Sequence, residues 1–175
     1  MPESPIPAYI DTRKVFLQQD EINGSVALEK LPRFKDALAS QQGHVSVALS
    51  FSVNESGQKV IQGKLFAEVA VTCQRCLEPL AIQLRDDIYL AVLEEEAEVA
   101  KLDPELDPWL CAEHKLVLAE LVEEQLMLCM PIVNYHENQA CLEKLDYVHS
   151  QNEADTAQSG MATENPFSVL KALKE

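Results

Sequence analysis

Two cysteines separated by two residues are the clearest candidates in this sequence for metal binding or thiol chemistry. Cys73 and Cys76 stand in the run Cys73-Gln74-Arg75-Cys76. Such a pair in a tight turn presents two thiolates to one tetrahedral ion, with Zn–S distances of about 2.3 Å. His136 and Cys141, in a polar stretch downstream, supply two further ligands. The four residues predict a closed, structural Zn²⁺ site without an open position for a substrate.

Two alternatives to zinc remain open at this point. A small thiol oxidoreductase would also use a Cys-x-x-Cys pair, and Arg75 could stabilise its thiolate. Redox pairs of that kind sit at a helix N-terminus in a βαβ setting, whereas strands are predicted on both sides of this one. In the second alternative the chain is a bare scaffold whose cysteine pair is incidental. An odd total of five cysteines argues against a disulfide framework.

Motifs of common enzymes are absent from the sequence. It contains no H-E-x-x-H, no G-x-S-x-G and no glycine-rich phosphate loop, and only 5 glycines in total. Carboxylates are plentiful but occur in runs that are typical of a solvated surface. We therefore predict that the protein is not an enzyme and takes no small-molecule substrate.

The elements that position the cysteine pair follow from hydrophobic spacing. Apolar residues alternate strictly over 45–53, and further strands are predicted over 59–73 and 81–93, separated by turns at 54–57 and 73–79. Three strands joined by short turns form an antiparallel meander. A short strand within 22–30 and a short helix over 31–38, with a proline in its first turn, precede the meander. Residues 1–15 are expected to be an irregular lead-in.

The second half of the chain is predicted to contain an acidic loop, a helix and a tail. Residues 94–108 predict a solvated loop, and apolar steps of three and four predict a long helix over 113–130 that ends before Pro131. The fold class is therefore α+β, with the meander packed against this helix. We expect a single domain over 1–141, a disordered linker over 142–163 and a short C-terminal docking helix over 164–175, capped by Asn165 and Pro166.

Charge is distributed unequally along the chain. Residues 1–85 carry 9 Lys+Arg and 9 Asp+Glu, whereas residues 86–175 carry 5 and 20, so the whole net charge of −15 lies in the second half. RNA phosphates would be repelled there, because they need Lys or Arg. A basic protein partner is a better match. The sequence has neither a secretory signal nor an apolar run long enough for a membrane span, so we expect no membrane association and a cytoplasmic location.

Several stretches occur together in one order: Val71-Thr72-Cys73-Gln74-Arg75-Cys76-Leu77-Glu78-Pro79, Val122-Glu123-Glu124 leading to Met130-Pro131-Ile132-Val133, then His136 and Cys141, and finally Asn165-Pro166-Phe167-Ser168-Val169-Leu170. This combination resembles the bacterial large ribosomal RNA subunit accumulation protein family, the YceD-type proteins, over most of the chain. The resemblance implies a role in synthesis, processing or stability of 23S rRNA, with relatives in plant chloroplasts and no catalytic residues. Some relatives carry additional cysteines after the helix, where His136 would be a substitute ligand. Together with the charge pattern, it predicts a ribosome-biogenesis factor linked indirectly to 23S rRNA through a basic ribosomal protein or assembly factor.

Overall fold

The computed structural model describes residues 4–142 of the chain. The chain divides into two units, residues 1–136 and residues 137–175. The first unit contains seven described strands and three α-helices, and the described part of the second contains a 3₁₀ helix, Gln139–Leu142. The strands are β1 (Tyr9–Asp11), β2 (Glu21–Ala27), β3 (His44–Val53), β4 (Lys59–Thr72), β5 (Pro79–Leu93), β6 (Asp107–Leu110) and β7 (Lys115–Val117), and the helices are α1 (Thr12–Gln18), α2 (Pro32–Asp36) and α3 (Leu118–Cys129).

The predicted meander is the centre of a five-stranded sheet with the order β2-β3-β4-β5-β6. The strands from β2 to β5 are antiparallel, and β4 and β5 pair without interruption from Lys59↔Val92 to Thr72↔Pro79. Alternate residues of β3 are buried because the period-two pattern puts Val45, Val47, Leu49 and Phe51 on the same face. The α+β class and the meander are therefore confirmed.

The helices pack on the inner face of this sheet. Leu118, Leu121, Val122 and Leu126 of α3 are fully buried in the same core cluster as the inner residues of the meander. In the same cluster, Phe16 of α1 meets Phe51 edge-on, with ring centroids 5.6 Å apart. None of the helices in the described part of the chain has the length and apolar character needed to cross a bilayer.

The predicted long helix over 113–130 is shorter than expected. It begins at Leu118 and has 12 residues, because residues 115–117 form β7, which pairs with β1. This pairing also corrects the irregular lead-in predicted for 1–15, which contains β1 and the start of α1. Asp11 caps α1 by accepting a hydrogen bond from the Arg13 backbone N–H at 3.0 Å. The pairing of β1 with β7, which are far apart in the sequence, thus overrides the local helical pattern of residues 115–117.

The acidic stretch predicted as a solvated loop over 94–108 is more ordered than expected. It contains a 3₁₀ helix, Glu96–Lys101, with a capping box between Glu95 and Glu98, and its last two residues begin β6, which runs parallel to β5. Leu106 is buried in a small cluster on the sheet, because Val60, Ala91 and Leu93 offer it an apolar surface. The acidic side chains in this stretch remain exposed, as predicted.

The predicted tail lies almost entirely outside the described residues. Leu142 is the last residue of the 3₁₀ helix in the second unit, and the rest of the predicted linker over 142–163 and the predicted helix over 164–175 fall beyond it. The boundaries of the domain, linker and docking helix stay predictions.

Candidate metal centre

The cysteine pair occupies the turn that joins β4 to β5, as the sequence predicts. Two backbone hydrogen bonds close this turn: the N–H of Cys73 donates to the carbonyl of Glu78, and the N–H of Leu77 donates to the carbonyl of Cys73, both at 2.9 Å. Leu77 has a φ of 61°, in the left-handed region that residues with a Cβ rarely adopt. Such a conformation costs about 1–2 kcal/mol, so the surrounding turn has to enforce it.

The two sulfur atoms are turned inward. Cys73 is 0% exposed and Cys76 is 7% exposed, whereas Leu77 beside them is 74% exposed. The turn therefore exposes a large apolar side chain and buries both cysteines, a residue type that is often fully buried.

The environment of Cys73 favours a thiolate. Burial raises the pKa of this thiol, but backbone N–H groups of Cys76 and Arg75 act in the opposite direction. The backbone N–H of His136 and the side chain of Cys76 lower it further, and the resulting pKa of Cys73 is about 6. Backbone donors directed at a sulfur stabilise its anionic form, which is the form that binds metals.

His136 reaches the turn from the segment that follows α3. Its Nδ1 atom lies 3.4 Å from the sulfur of Cys76. The ligand atoms of Cys73, Cys76 and His136 all lie within 4.8 Å of one another, which is close enough for one ion to bind all three. The first unit thus brings together three of the four predicted ligands.

Two residues inside the cysteine turn hold the post-helix segment in place. The Gln74 backbone N–H donates to the carbonyl of Asn134 at 2.8 Å, and the Arg75 guanidinium donates to the carbonyl of His136 at 2.8 Å. The Arg75 guanidinium also stacks on the Tyr135 ring, 4.3 Å from its centroid. Sequence reasoning considered Arg75 only as a partner for a thiolate and missed this positioning role. The signal available was an arginine between the two cysteines and a tyrosine just before the histidine.

Cys141, the fourth predicted ligand, lies in the second unit. It is half-buried within the 3₁₀ helix Gln139–Leu142, and its backbone N–H bonds to the carbonyl of Asn138 at 3.5 Å. Four residues lie between it and His136 in the sequence. The fourth ligand stays a prediction.

The remaining two cysteines stand apart from this group. Burial raises the pKa of the thiols of Cys111 and Cys129, which keeps both neutral. They behave as small hydrophobic residues. Cys73 and Cys76 lie between two strands rather than at a helix N-terminus, so the redox alternative gains no support from the fold.

The arrangement is therefore that of a small α+β protein with a cysteine–histidine cluster suited to a structural metal ion. Thiolate and imidazole are the donors that Zn²⁺ prefers in such sites. The family model described as large ribosomal RNA subunit accumulation protein YceD matches residues 61–174, and the chain belongs to this family. The matched region includes all four predicted ligands. The confirmed resemblance also implies involvement in accumulation of the large-subunit rRNA.

A curated relative supports the same membership over the full length. The chain is 26% identical, over 172 residues, to the large ribosomal RNA subunit accumulation protein YceD of Haemophilus influenzae (strain ATCC 51907 / DSM 11121 / KW20 / Rd). The alignment covers 97% of this chain and 97% of that protein. No solved structure gives a significant match.

Proposed function

We propose that this protein is a non-enzymatic ribosome-biogenesis factor that supports synthesis, processing or stability of 23S rRNA. Membership in a family named for accumulation of the large-subunit rRNA is the observation that carries the proposal. Because bacterial ribosomes assemble in the cytoplasm, we expect the protein to act there. The direct partner in this proposal is a basic ribosomal protein or assembly factor, and the link to rRNA is indirect.

The acidic surface supports a protein partner over RNA. Residues 94–107 contain seven acidic side chains and one lysine, and all eight are exposed. Lys59 offsets part of this charge through an ion pair with Glu94 at 3.1 Å, and His114 lies 3.4 Å from the same carboxylate. Phosphates would meet net repulsion at this surface, whereas Lys- and Arg-rich segments would be attracted and oriented.

A bound Zn²⁺ fits the cysteine–histidine cluster as a structural element. Cys73, Cys76 and His136 supply three ligands of suitable type and spacing, and Cys141 is the fourth in this proposal. Closing the shell would fasten the β4–β5 turn to the segment after α3. The ion would therefore shape the surface around the turn rather than take part in a reaction.

Deleting the gene tests the main proposal. We expect mature 23S rRNA to fall relative to 16S rRNA, and the wild-type gene to restore the ratio. Purified protein should bind a basic ribosomal protein in a salt-sensitive manner, because exposed charges are screened within about 10 Å at 0.1 M salt. An unchanged rRNA ratio would refute the role, and tight binding of naked rRNA at physiological salt would refute the indirect route.

Metal analysis of the purified chain tests the zinc proposal. We expect one zinc per chain in the wild type and its loss in Cys76→Ser, with Cys129→Ser as a matched control that keeps the metal. Chelation should lower the thermal stability of the wild type only, since a ligand that binds the native state stabilises it. Disulfide-exchange activity of the metal-free wild type would instead support the thiol oxidoreductase alternative.

A further inference from the structure

One edge of the main sheet lacks a neighbouring strand over part of its length. Strand β5 pairs with β4 over Pro79–Val92, but β6 pairs with it only over Leu90–Leu93. Within residues 4–142, the rest of β5 therefore has a neighbouring strand on one side only. Its other side carries backbone donors and acceptors that a further strand could use.

The direction of these backbone groups follows from the register. The Leu93 carbonyl accepts a hydrogen bond from the Cys111 N–H at 2.8 Å, so the backbone of Leu93 points away from β4. The register with β4 is unbroken, so every second residue back along β5 points the same way. By this alternation, the outward-pointing residues include Ala81, Gln83, Arg85 and Asp87. We call Ala81–Asp87 the open edge.

Most outward backbone groups of the open edge have no hydrogen-bond partner among the described residues. No other group within residues 4–142 bonds to the outward backbone N–H or C=O of Ala81, Gln83 or Arg85. The next outward N–H, that of Asp87, lies against the carboxylate of Asp86. Three consecutive outward positions are therefore available to an incoming strand.

The other edges of the sheet are partly blocked. The N-terminal segment bonds to the outer side of β2 at Ser25, where the Ser25 N–H donates to the Ser4 carbonyl at 2.9 Å and the Ile6 N–H donates to the Ser25 carbonyl at 3.1 Å. Strand β6 is only 4 residues long and contains Pro108, which has no N–H to offer. Short strands and prolines are the usual means of blocking an edge, and the open edge of β5 has neither.

Carboxylates surround the end of the open edge nearest to β6. Asp86 is half-buried, and the charges of Asp87 and Asp107 both act on it unfavourably. Lys64 pairs with Asp87 at 3.7 Å, with both side chains more than four-fifths exposed, so this pair is weak. Two copies of the chain pairing edge to edge would add like charges to this group, whereas a cationic segment would relieve the repulsion.

We propose that the open edge binds an extended segment of a basic protein by strand addition, with a lysine or arginine of that segment beside Asp86. The inference rests on the proposed function, because it states how the basic partner is held. Backbone hydrogen bonds from the open edge would supply affinity, and the carboxylates would select cationic over acidic sequences. A continuous sheet of six strands would result.

Amide hydrogen exchange on the full-length protein tests strand addition directly. The probe is a peptide of about ten residues with alternating lysine and valine, compared with its glutamate–valine counterpart. We expect the amides of Ala81, Gln83 and Arg85 to exchange rapidly in the free protein. The lysine peptide should slow them by at least about tenfold, and the glutamate peptide should leave them unchanged.

Two variants of Gln83 distinguish the contribution of its backbone N–H from the contribution of its side chain. Gln83→Pro removes an outward N–H without removing a bond to β4, and should weaken binding of the lysine peptide by at least about tenfold. Gln83→Thr keeps the N–H and should bind as the wild type does. Both variants lose the hydrogen bond from Gln83 to the Glu68 carboxylate, so they are matched in that respect. Asp86→Asn should weaken binding of the lysine peptide while retaining the edge.

The inference is overturned by several outcomes. These are unchanged exchange with the lysine peptide, equal protection by the glutamate peptide, protection of the same amides by a single-stranded RNA oligonucleotide, and self-association through this edge. Gln83→Pro also separates this inference from the proposed function. If the variant fully restores 23S rRNA in the deletion strain, the edge is not the docking site but the biogenesis role stands. If deletion leaves 23S rRNA unchanged, the biogenesis role fails whatever the peptide does.

Discussion

Replacing Arg75 by alanine should weaken zinc binding without touching a ligand. The change removes the hydrogen bond from the guanidinium to the His136 carbonyl, 2.8 Å long, and the stacking on Tyr135 at 4.3 Å. A hydrogen bond to a charged group contributes about 1.5–3 kcal/mol and an exposed cation–π contact about 0.5–1 kcal/mol. Because the pair is partly exposed, we take the lower ends of both ranges, a loss of about 2 kcal/mol.

That loss corresponds to zinc affinity about 30-fold weaker, since each 1.4 kcal/mol is a factor of about ten. Competition against a chromophoric chelator on the full-length protein measures it, with circular dichroism to confirm folding. Tyr135→Leu removes only the stacking and should cost about 2- to 5-fold. If Arg75→Ala binds zinc as tightly as the wild type while Cys76→Ser does not bind it, Arg75 does not position His136.

Three further predictions concern carboxylates in the first unit. Glu123 is buried and accepts the backbone N–H groups of Arg33 at 2.8 Å and Phe34 at 3.2 Å, so Glu123→Ala should lower the free energy of unfolding by about 2–4 kcal/mol in denaturant titrations. Glu123→Gln keeps an acceptor and should lose less; an equal loss would contradict this. Hydrogen bonds from Arg13 lower the pKa of Asp11 from 3.8 to about 2, so the stability they add is present above pH 3.8 and lost as pH falls toward 2. NMR titration of Asp11 should show this pKa, and Asp11→Asn should lose the pH dependence; an ordinary pKa in the wild type would refute it. Burial raises the pKa of Asp86, so its ionised form disfavours folding, and Asp86→Asn should be more stable than the wild type at neutral pH but equally stable well below pH 3.8. Thermal unfolding at the two pH values checks the difference, and a less stable variant at neutral pH would contradict it.

The elements that sequence reasoning predicted best are those whose pattern is local. Strict alternation from Val45 to Val53 defines one strand, and Asn54 to Gly57 supplies the turn to the next. The turn at 73–79 was likewise predicted from the interruption between the strand patterns over 59–73 and 81–93. In each case the residue types of a short, continuous segment are enough to predict the element that forms.

The elements that were missed depend on distant partners. Residues 115–117 carry a helix-compatible pattern but pair with β1, more than a hundred residues earlier in the chain. Strand β6 forms because β5 offers it an edge, and nothing within Asp107–Leu110 alone predicts that pairing. The hydrogen bonds from Gln74 and Arg75 to the post-helix segment are of the same kind. The predicted ligand residues needed only their types, whereas the positioning residues needed the fold.

Strand β5 connects the separate features of this molecule into one surface. Its first residue follows the cysteine turn, its last residue precedes the acidic stretch, and the open edge lies between them. A zinc ion at the turn would hold the beginning of β5, and the packing of Leu106 against Leu93 holds its end. A partner strand added along β5 would therefore pair with a strand whose two ends are both fixed. The carboxylates are concentrated toward the end of β5 that meets β6. Loss of the metal should for this reason weaken binding of the lysine–valine peptide as well as lower stability, which can be measured by repeating the exchange experiment after chelation. Unchanged peptide binding in the metal-free protein would show that the turn and the edge act independently.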